Sequence, residues 1–240
     1  MQESTSLIVP IFNESELIAE FENSVLNTDE VRKFFEVVLV DDGSRDSSWQ
    51  KLLEVRDRFE NVRLVRHNEN RGLGAALRSG VFHSRSERVC WIPIDGSFDI
   101  SDVIALADAN EIAEVILYRR LLRSERSRNM VSWAAHASFR AIFGCDVRHQ
   151  SGLFLMPRHV YLENMAMSNR AISNLEFIVR LNRCGCDIAT VDIPCFPRSG
   201  GSTKTFSLRS ILRSVRELAG LLLLDPSLVR RRSANSVSRP

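Results

Sequence analysis

The residues best suited to chemistry are two adjacent carboxylates, Asp41 and Asp42, which follow the apolar run Val37–Val40 and precede Gly43 and Ser44. Carboxylates at the end of a buried strand can accept hydrogen bonds from a ligand, and open α/β sheets bind ligands at the carboxyl ends of their strands. Further on, Gly72, Gly74 and Gly80 punctuate one helical stretch. Small residues let a helix N-terminus approach a partner closely, although close packing of helix on sheet would use the same glycines. Between positions 119 and 128 stand Arg119, Arg120, Arg123, Arg126 and Arg128. Guanidinium groups grip phosphate in fork geometry, so this run reads as an anion site or as a solvated basic loop.

These residues need elements to hold them. Val37–Val40 reads as a buried parallel strand, Gly43 as a sharp turn, and Ser44 to Ser48 as capping residues ahead of a helix over 49–59. A matching unit comes first, with an apolar strand over 6–14 and a periodic helix from about Glu16 to Leu26. Two such units in tandem predict neighbouring parallel strands. A strand over 62–65 then precedes the glycine-punctuated helix, and further strands are expected over 89–94 and 115–118. Helices are expected from Ser101, over 129–143 and over 174–183. On residue types alone, Asp41 and Asp42 could simply cap a helix, and Asn13 and Glu14 could simply form a turn.

Four ordered blocks carry a resemblance: Val9-Pro-Ile-Phe-Asn-Glu14, Val40-Asp-Asp-Gly-Ser-Arg-Asp46, Arg66-His-Asn-Glu-Asn-Arg-Gly-Leu-Gly-Ala-Ala-Leu-Arg-Ser-Gly80 and Trp91-Ile-Pro-Ile-Asp-Gly-Ser-Phe-Asp99. The series resembles the family 2 glycosyltransferases of the GT-A fold, and within them the polyprenyl-phosphate branch typified by dolichyl-phosphate mannosyltransferase. The resemblance implies an α/β domain with a mixed, mostly parallel sheet and helices on both faces. It implies that Pro10, Asn13, Glu14, Asp41 and Asp42 line a nucleoside pocket, with uracil and guanine both open, and that Asn70, Arg71 and Gly72 lie beside the nucleotide. It implies an Asp-x-Asp motif holding Mg²⁺ or Mn²⁺ on the diphosphate. Here those positions read Pro93-Ile94-Asp95, so Asp95 is the single expected ligand, and Ser97 stands where many members have glutamine.

The acceptor half follows from the same resemblance. Arg119, Arg128 and Ser132 match the residues that hold an acceptor phosphate, and the i, i+4 spacing of Arg128 and Ser132 puts both on one helix face. Asp146, ahead of Ser151-Gly152, becomes an active-site carboxylate. Glu176 falls at a frequently acidic position, where a salt bridge would also account for it. Arg198 and Lys204 flank a Gly-Gly-Ser-Thr loop that could close over the diphosphate. The implied reaction is inverting transfer of a sugar from a nucleoside diphosphate sugar to a polyprenyl phosphate. Transfer to a soluble hydroxyl acceptor, with Asp146 as true base, and a non-catalytic nucleotide-binding accessory protein are the alternatives.

Composition frames these readings. The chain has 240 residues, 44% of them hydrophobic and 26% charged, enough for one globular domain with a sizeable core. Its net charge of +2 excludes a general polyanion binder, so no nucleic acid partner is expected. Five cysteines, at 90, 145, 184, 186 and 195, are read as ordinary thiols. No signal peptide is evident and no apolar run reaches the ~20 residues that cross a bilayer. A cytoplasmic protein is expected, peripheral on the membrane face or partnered by a membrane subunit. The expected organisation is a GT-A domain over 1–206, a basic amphipathic helix over 207–228 with Arg209, Arg213 and Arg216 on its polar face, and a basic, disordered tail over 229–240.

Overall fold

The structure, a computed structural model, describes residues 5–108, 113–121, 140–144, 150–169 and 172–196, with seven single positions between 216 and 228. Seven strands form one sheet: β1 (Thr5–Ile11), β2 (Glu36–Asp41), β3 (Val62–Arg66), β4 (Arg88–Trp91), β5 (Val115–Leu121), β6 (Gln150–Pro157) and β7 (Ile188–Pro194). Their order is β3-β2-β1-β4-β6-β5-β7. The first four are mutually parallel. β6 runs antiparallel to both β4 and β5, and β5 is parallel to β7. Two reversals restore the direction, so six of the seven strands end on one edge, where β6 begins.

The continuous apolar runs follow from this topology. A parallel sheet covered on both faces has no solvent side, so Leu7 to Val9 and Val37 to Val40 are all fully buried. The helices are α1 (Ile18–Phe21), α2 (Ser48–Arg58), α3 (Leu73–His83), α4 (Ile100–Asp108), α5 (Arg158–Asn164) and α6 (Ser173–Cys184). α3 lies directly on β1 and β2. A Cβ added at Gly80 would come within 2.4 Å of Ile8 Cγ2, so that glycine serves helix-on-sheet packing. Gly74 is likewise closed in by its own chain, with Ser173 and the Ser168 carbonyl. A second apolar centre joins β6, α5 and α6, where Phe154, Tyr161 and Phe177 pack with ring centroids 4.9 to 5.4 Å apart.

Three local expectations change. The first helix is shorter than the 16–26 span: α1 gives way to a π-helical turn over Glu22–Leu26. β4 stops at Trp91 rather than Ile94, because the amide of Ile92 makes the last bond to β1 (3.2 Å to Ile8 O) and Pro93 has no N–H with which to continue the ladder. Cys184 and Cys186, expected as free thiols, are disulfide-bonded: Gly185 adopts a left-handed conformation (φ 77°) at the end of α6 and turns the two residues to a Cα separation of 5.4 Å. Cys90 is a buried free thiol whose pKa burial pushes up to about 12.

The expected C-terminal helix and tail lie largely outside the described residues. Of the described positions there, Asp225 pairs with Arg180 at 3.0 Å, and buried Leu228 receives Arg183 Nη2 on its carbonyl at 2.5 Å. Both arginines belong to α6. Glu176, one turn before Arg180, is buried and ties the α5–α6 connection together. It accepts from the amides of Met167 (2.7 Å) and Ser168 (2.8 Å), the Ser168 hydroxyl, and Arg180 Nε (2.8 Å). Burial opposes its charge, but these donors together hold its carboxyl below the ordinary glutamate range. A carboxylate depressed in the folded state contributes stability above its unfolded pKa, about 4.3, that is lost as pH falls through the folded value. Glu176→Gln should therefore lower the Tm at pH 7 and flatten the acid limb of the Tm-versus-pH curve measured between pH 6 and 3.

Candidate functional site

The carboxyl edge of the sheet is built from three loops bound to one another. After β1 the chain turns at Asn13, which has positive φ (53°) and donates its amide to Ser44 Oγ at 2.9 Å. Asn13 Oδ1 in turn accepts from the Arg45 amide at 2.8 Å. Glu14 donates its amide to Ser48 Oγ (3.1 Å) and Ser15 donates its amide to Asp46 Oδ2 (3.1 Å). Pro10, half-buried on β1, is paired with Val40. The polar residues after both strands thus lock the two loops together, and the Asn13 carboxamide is engaged in that task.

Asp41 and Asp42 are both buried but differ in what they bind. Asp42 accepts from His67 Nδ1 (2.7 Å), the Arg71 amide (2.9 Å) and the Gly72 amide (2.7 Å). The other ring nitrogen of His67 meets Ser79 Oγ at 2.8 Å. Asp42 therefore anchors the segment 67–72. The amides at the start of α3, which the sequence reading associates with a nucleotide, are here directed at Asp42 itself. Gly43 (φ 70°) makes this fit feasible, since a Cβ there would come within 2.3 Å of the Glu69 backbone. Asn70 is half-buried and the Arg71 side chain is exposed beside this anchor.

Asp41 is different. Its Oδ1 accepts from the Ser44 amide at 3.1 Å, while its buried Oδ2 has no hydrogen-bond donor. Arg66, its register partner on β3, brings Nε to 3.2 Å of Oδ2, an ion-pair distance without hydrogen-bond alignment. The Arg66 guanidinium stacks 4.6 Å above the centre of a Trp49 ring. Asp41 thus offers one buried acceptor beneath a mobile-length cationic side chain.

Beyond β4, Asp95 is buried in a turn where its Oδ1 accepts from the amide (3.1 Å) and hydroxyl (2.5 Å) of Ser97. The Phe196 amide, just past β7, closes on Ser97 O at 3.0 Å. Among the described residues no group of three or more His, Cys, Asp or Glu converges as a metal site. A single carboxylate with a neighbouring hydroxyl fits Mg²⁺ or Mn²⁺ only where phosphate oxygens and water complete the shell. A cleft of about 270 Å³ of mixed character, lined by Phe21, Phe98 and Phe196 together with Glu20, Ser24 and Asp99 among others, adjoins this turn but includes neither Asp41 nor Asp95.

On the far side of β6, Arg119 and Asp192 face each other in register on β5 and β7. They form a two-point pair, Nε to Oδ1 at 2.5 Å and Nη2 to Oδ2 at 2.9 Å. The hydrogen bond to Asp192 raises the Arg119 pKa, and the same bond holds the Asp192 carboxyl below the usual range. Arg128, Ser132, Asp146, Arg198 and Lys204 lie outside the described residues. Sequence reasoning missed His67, Ser79, Arg66, Trp49 and Asp192. The signal for Arg66 was its place at the end of a strand beside Asp41; for Asp192, 73 residues from Arg119, there was none.

Residues 6–145 match the sequence profile described as glycosyl transferase family 2. The chain belongs to glycosyl transferase family 2. Within the family it is similar to a dolichyl-phosphate beta-glucosyltransferase of Trichomonas vaginalis, 30% identical over 148 residues, covering 58% of this chain and 45% of that protein. It is also similar to the dolichyl-phosphate beta-glucosyltransferase of Mus musculus, 34% identical over 106 residues, covering 41% of this chain and 33% of that one. Each match thus spans less than half of the relative's length. Among solved structures, glucosyl-3-phosphoglycerate synthase of Mycobacterium tuberculosis with Mn²⁺, UDP and glucosyl-3-phosphoglycerate superposes with a TM-score of 0.65 at 19% identity, covering 92% of this chain and 80% of that one. The mannosyltransferase of Pyrobaculum calidifontis with GDP-Man and Mn²⁺ gives 0.62 at 20% identity, covering 93% and 65%. Both likenesses show the GT-A fold, as the sequence blocks imply.

In this family member the Asp42 anchor is a structural demand on the site. Asp42→Ala would strand two backbone N–H groups and the His67 ring, at about 1 to 3 kcal/mol for each buried donor left unmade. Calorimetric unfolding should show a Tm lower by about 10 °C, while Asp41→Ala, which removes an incompletely bonded group, should cost much less.

Proposed function

We propose that this protein transfers a sugar from a uridine diphosphate sugar to a polyprenyl phosphate, with inversion at the anomeric carbon. The observation that carries the reading is the order of polar groups along one sheet edge. Asp41 ends β2, Asp95 follows β4, and Arg119 lies near the end of β5. At the usual spacing between strands, four intervals separate β2 from β5, roughly 19 Å. An extended nucleotide sugar laid along that edge would have its base at Asp41, its diphosphate near Asp95 and its sugar directed toward Arg119.

The base is read from Asp41. With Oδ1 held by the Ser44 amide, one acceptor remains, and Arg66 stands beside it as a donor. Uracil presents a single N–H flanked by carbonyl oxygens, which matches one acceptor and an adjacent donor. Guanine presents two donors and would need both carboxylate oxygens. The base would have to shift Arg66 from over Oδ2, and Trp49 gives the guanidinium a surface on which to move.

In the reaction, an oxygen of the acceptor phosphate attacks the anomeric carbon as the bond from that carbon to the diphosphate oxygen breaks. The electron pair leaves with the nucleoside diphosphate, and a single displacement inverts the centre. A phosphate is already ionised at neutral pH, so no strong base is required, and Asp146 acts as a positioning residue. Arg119, with Arg128 and Ser132, binds the acceptor phosphate. Arg198 and Lys204 offset charge on the leaving group, and Asp95 would hold Mg²⁺ or Mn²⁺, which supplies charge neutralisation when bound. Among the described residues no helix is long and apolar enough to cross a membrane.

Calorimetric titration of UDP, UDP-glucose, GDP and GDP-mannose, with and without Mn²⁺, tests the donor side. UDP and its sugar should bind, more tightly with Mn²⁺, and Asp41→Ala should weaken UDP by about tenfold, as expected for one lost charged hydrogen bond. Preference for GDP would overturn the uridine assignment. No binding at all would favour a non-catalytic accessory protein, a reading supported by Pro93 in place of a carboxylate and by the engagement of Asp95 with Ser97. Asp95→Ala should lower turnover by about 100-fold or more with unchanged circular dichroism.

A further inference from the structure

The geometry points to Asp192 as a positioning residue that aims Arg119 at the acceptor phosphate, an inference that rests on the acceptor role proposed above for Arg119. A guanidinium has five N–H donors arranged as two forks. The pair with Asp192 occupies Nε and one N–H of Nη2, at 2.5 and 2.9 Å. The second fork, between Nη1 and Nη2, is left for another anion. The two residues are register partners on adjacent parallel strands, so their backbones fix where the pair stands.

Stability alone is a poor reason for such a pair. The two side chains are 47% and 38% exposed, and ion pairs in that environment contribute little to folding. What the carboxylate does supply is order. A free arginine must give up its rotamer freedom when it binds a phosphate, which weakens binding, whereas one held at two points has already done so. The location agrees with this role. The pair stands near the ends of β5 and β7 on the ligand-binding edge, separated from β4 by β6 alone on the β5 side.

The test is titration of the full chain with farnesyl phosphate, with inorganic phosphate and UDP as parallel probes. Arg119→Ala should abolish or greatly weaken farnesyl phosphate binding. Asp192→Ala should weaken it by about tenfold, the scale of one charge-assisted contact, while leaving UDP affinity and the Tm unchanged. Asp192→Glu should recover most of the loss, which a merely structural role would not require. Unchanged or tighter farnesyl phosphate binding in Asp192→Ala, with Arg119→Ala defective, would overturn the role of Asp192 alone, tighter binding marking it as a competitor. Undiminished binding in Arg119→Ala, or none in the parent protein, would overturn the acceptor reading of Arg119 and this inference with it. If inorganic phosphate shows the same dependence on both residues, the positioning role stands and the site reads the phosphate without its lipid.

Discussion

One carboxylate organises the edge on which everything else depends. Asp42 takes donors from a histidine ring and from two successive amides at the start of α3, so the turn after β2 and the segment 67–72 become one unit. Buried carboxylates are costly unless their oxygens are filled, and here the donors come from the chain itself. The consequence for Asp41 is direct. With its neighbour fixed, Asp41 is presented at the strand end with one oxygen held and the other lacking an aligned donor. The two aspartates look equivalent in the sequence and are bonded differently: one closes the scaffold, and the other keeps a buried oxygen without a hydrogen-bond donor.

The same division of labour recurs along the edge. Asn13, Ser44, Asp46 and Ser48 are spent on joining the β1 and β2 loops, and Glu176 on joining α5 to α6. Asp95 and Arg119 sit farther along, each with a protein partner that limits how the group can be approached. Groups assembled this way are largely preorganised, because each is steered by neighbours within the chain.

The strands were legible because burial on both faces forces continuous apolar runs, and Val37–Val40 could hardly do anything else. The residues at their ends were legible as polar groups in the right place. Their individual roles were not, because successive side chains on a strand point to opposite sides and the partners come from distant parts of the chain. His67 and Ser79 are twelve residues apart in sequence yet meet only because α3 packs on the strands it follows. The early end of β4 was readable in principle from Pro93, whose missing N–H stops the ladder. The Cys184–Cys186 bond was not, since it depends on the left-handed turn that Gly185 adopts after α6.

The reversed strand has a consequence for how such a protein can change. Because β6 runs opposite to its neighbours, the chain leaves β5 and re-enters the sheet at the same edge, the one on which β1 to β4 also end. The antiparallel pairing of β5 with β6 sets both ends of their connection on this edge. The connection between β5 and β6 can therefore vary in length or sequence without changing the order of the strands it joins.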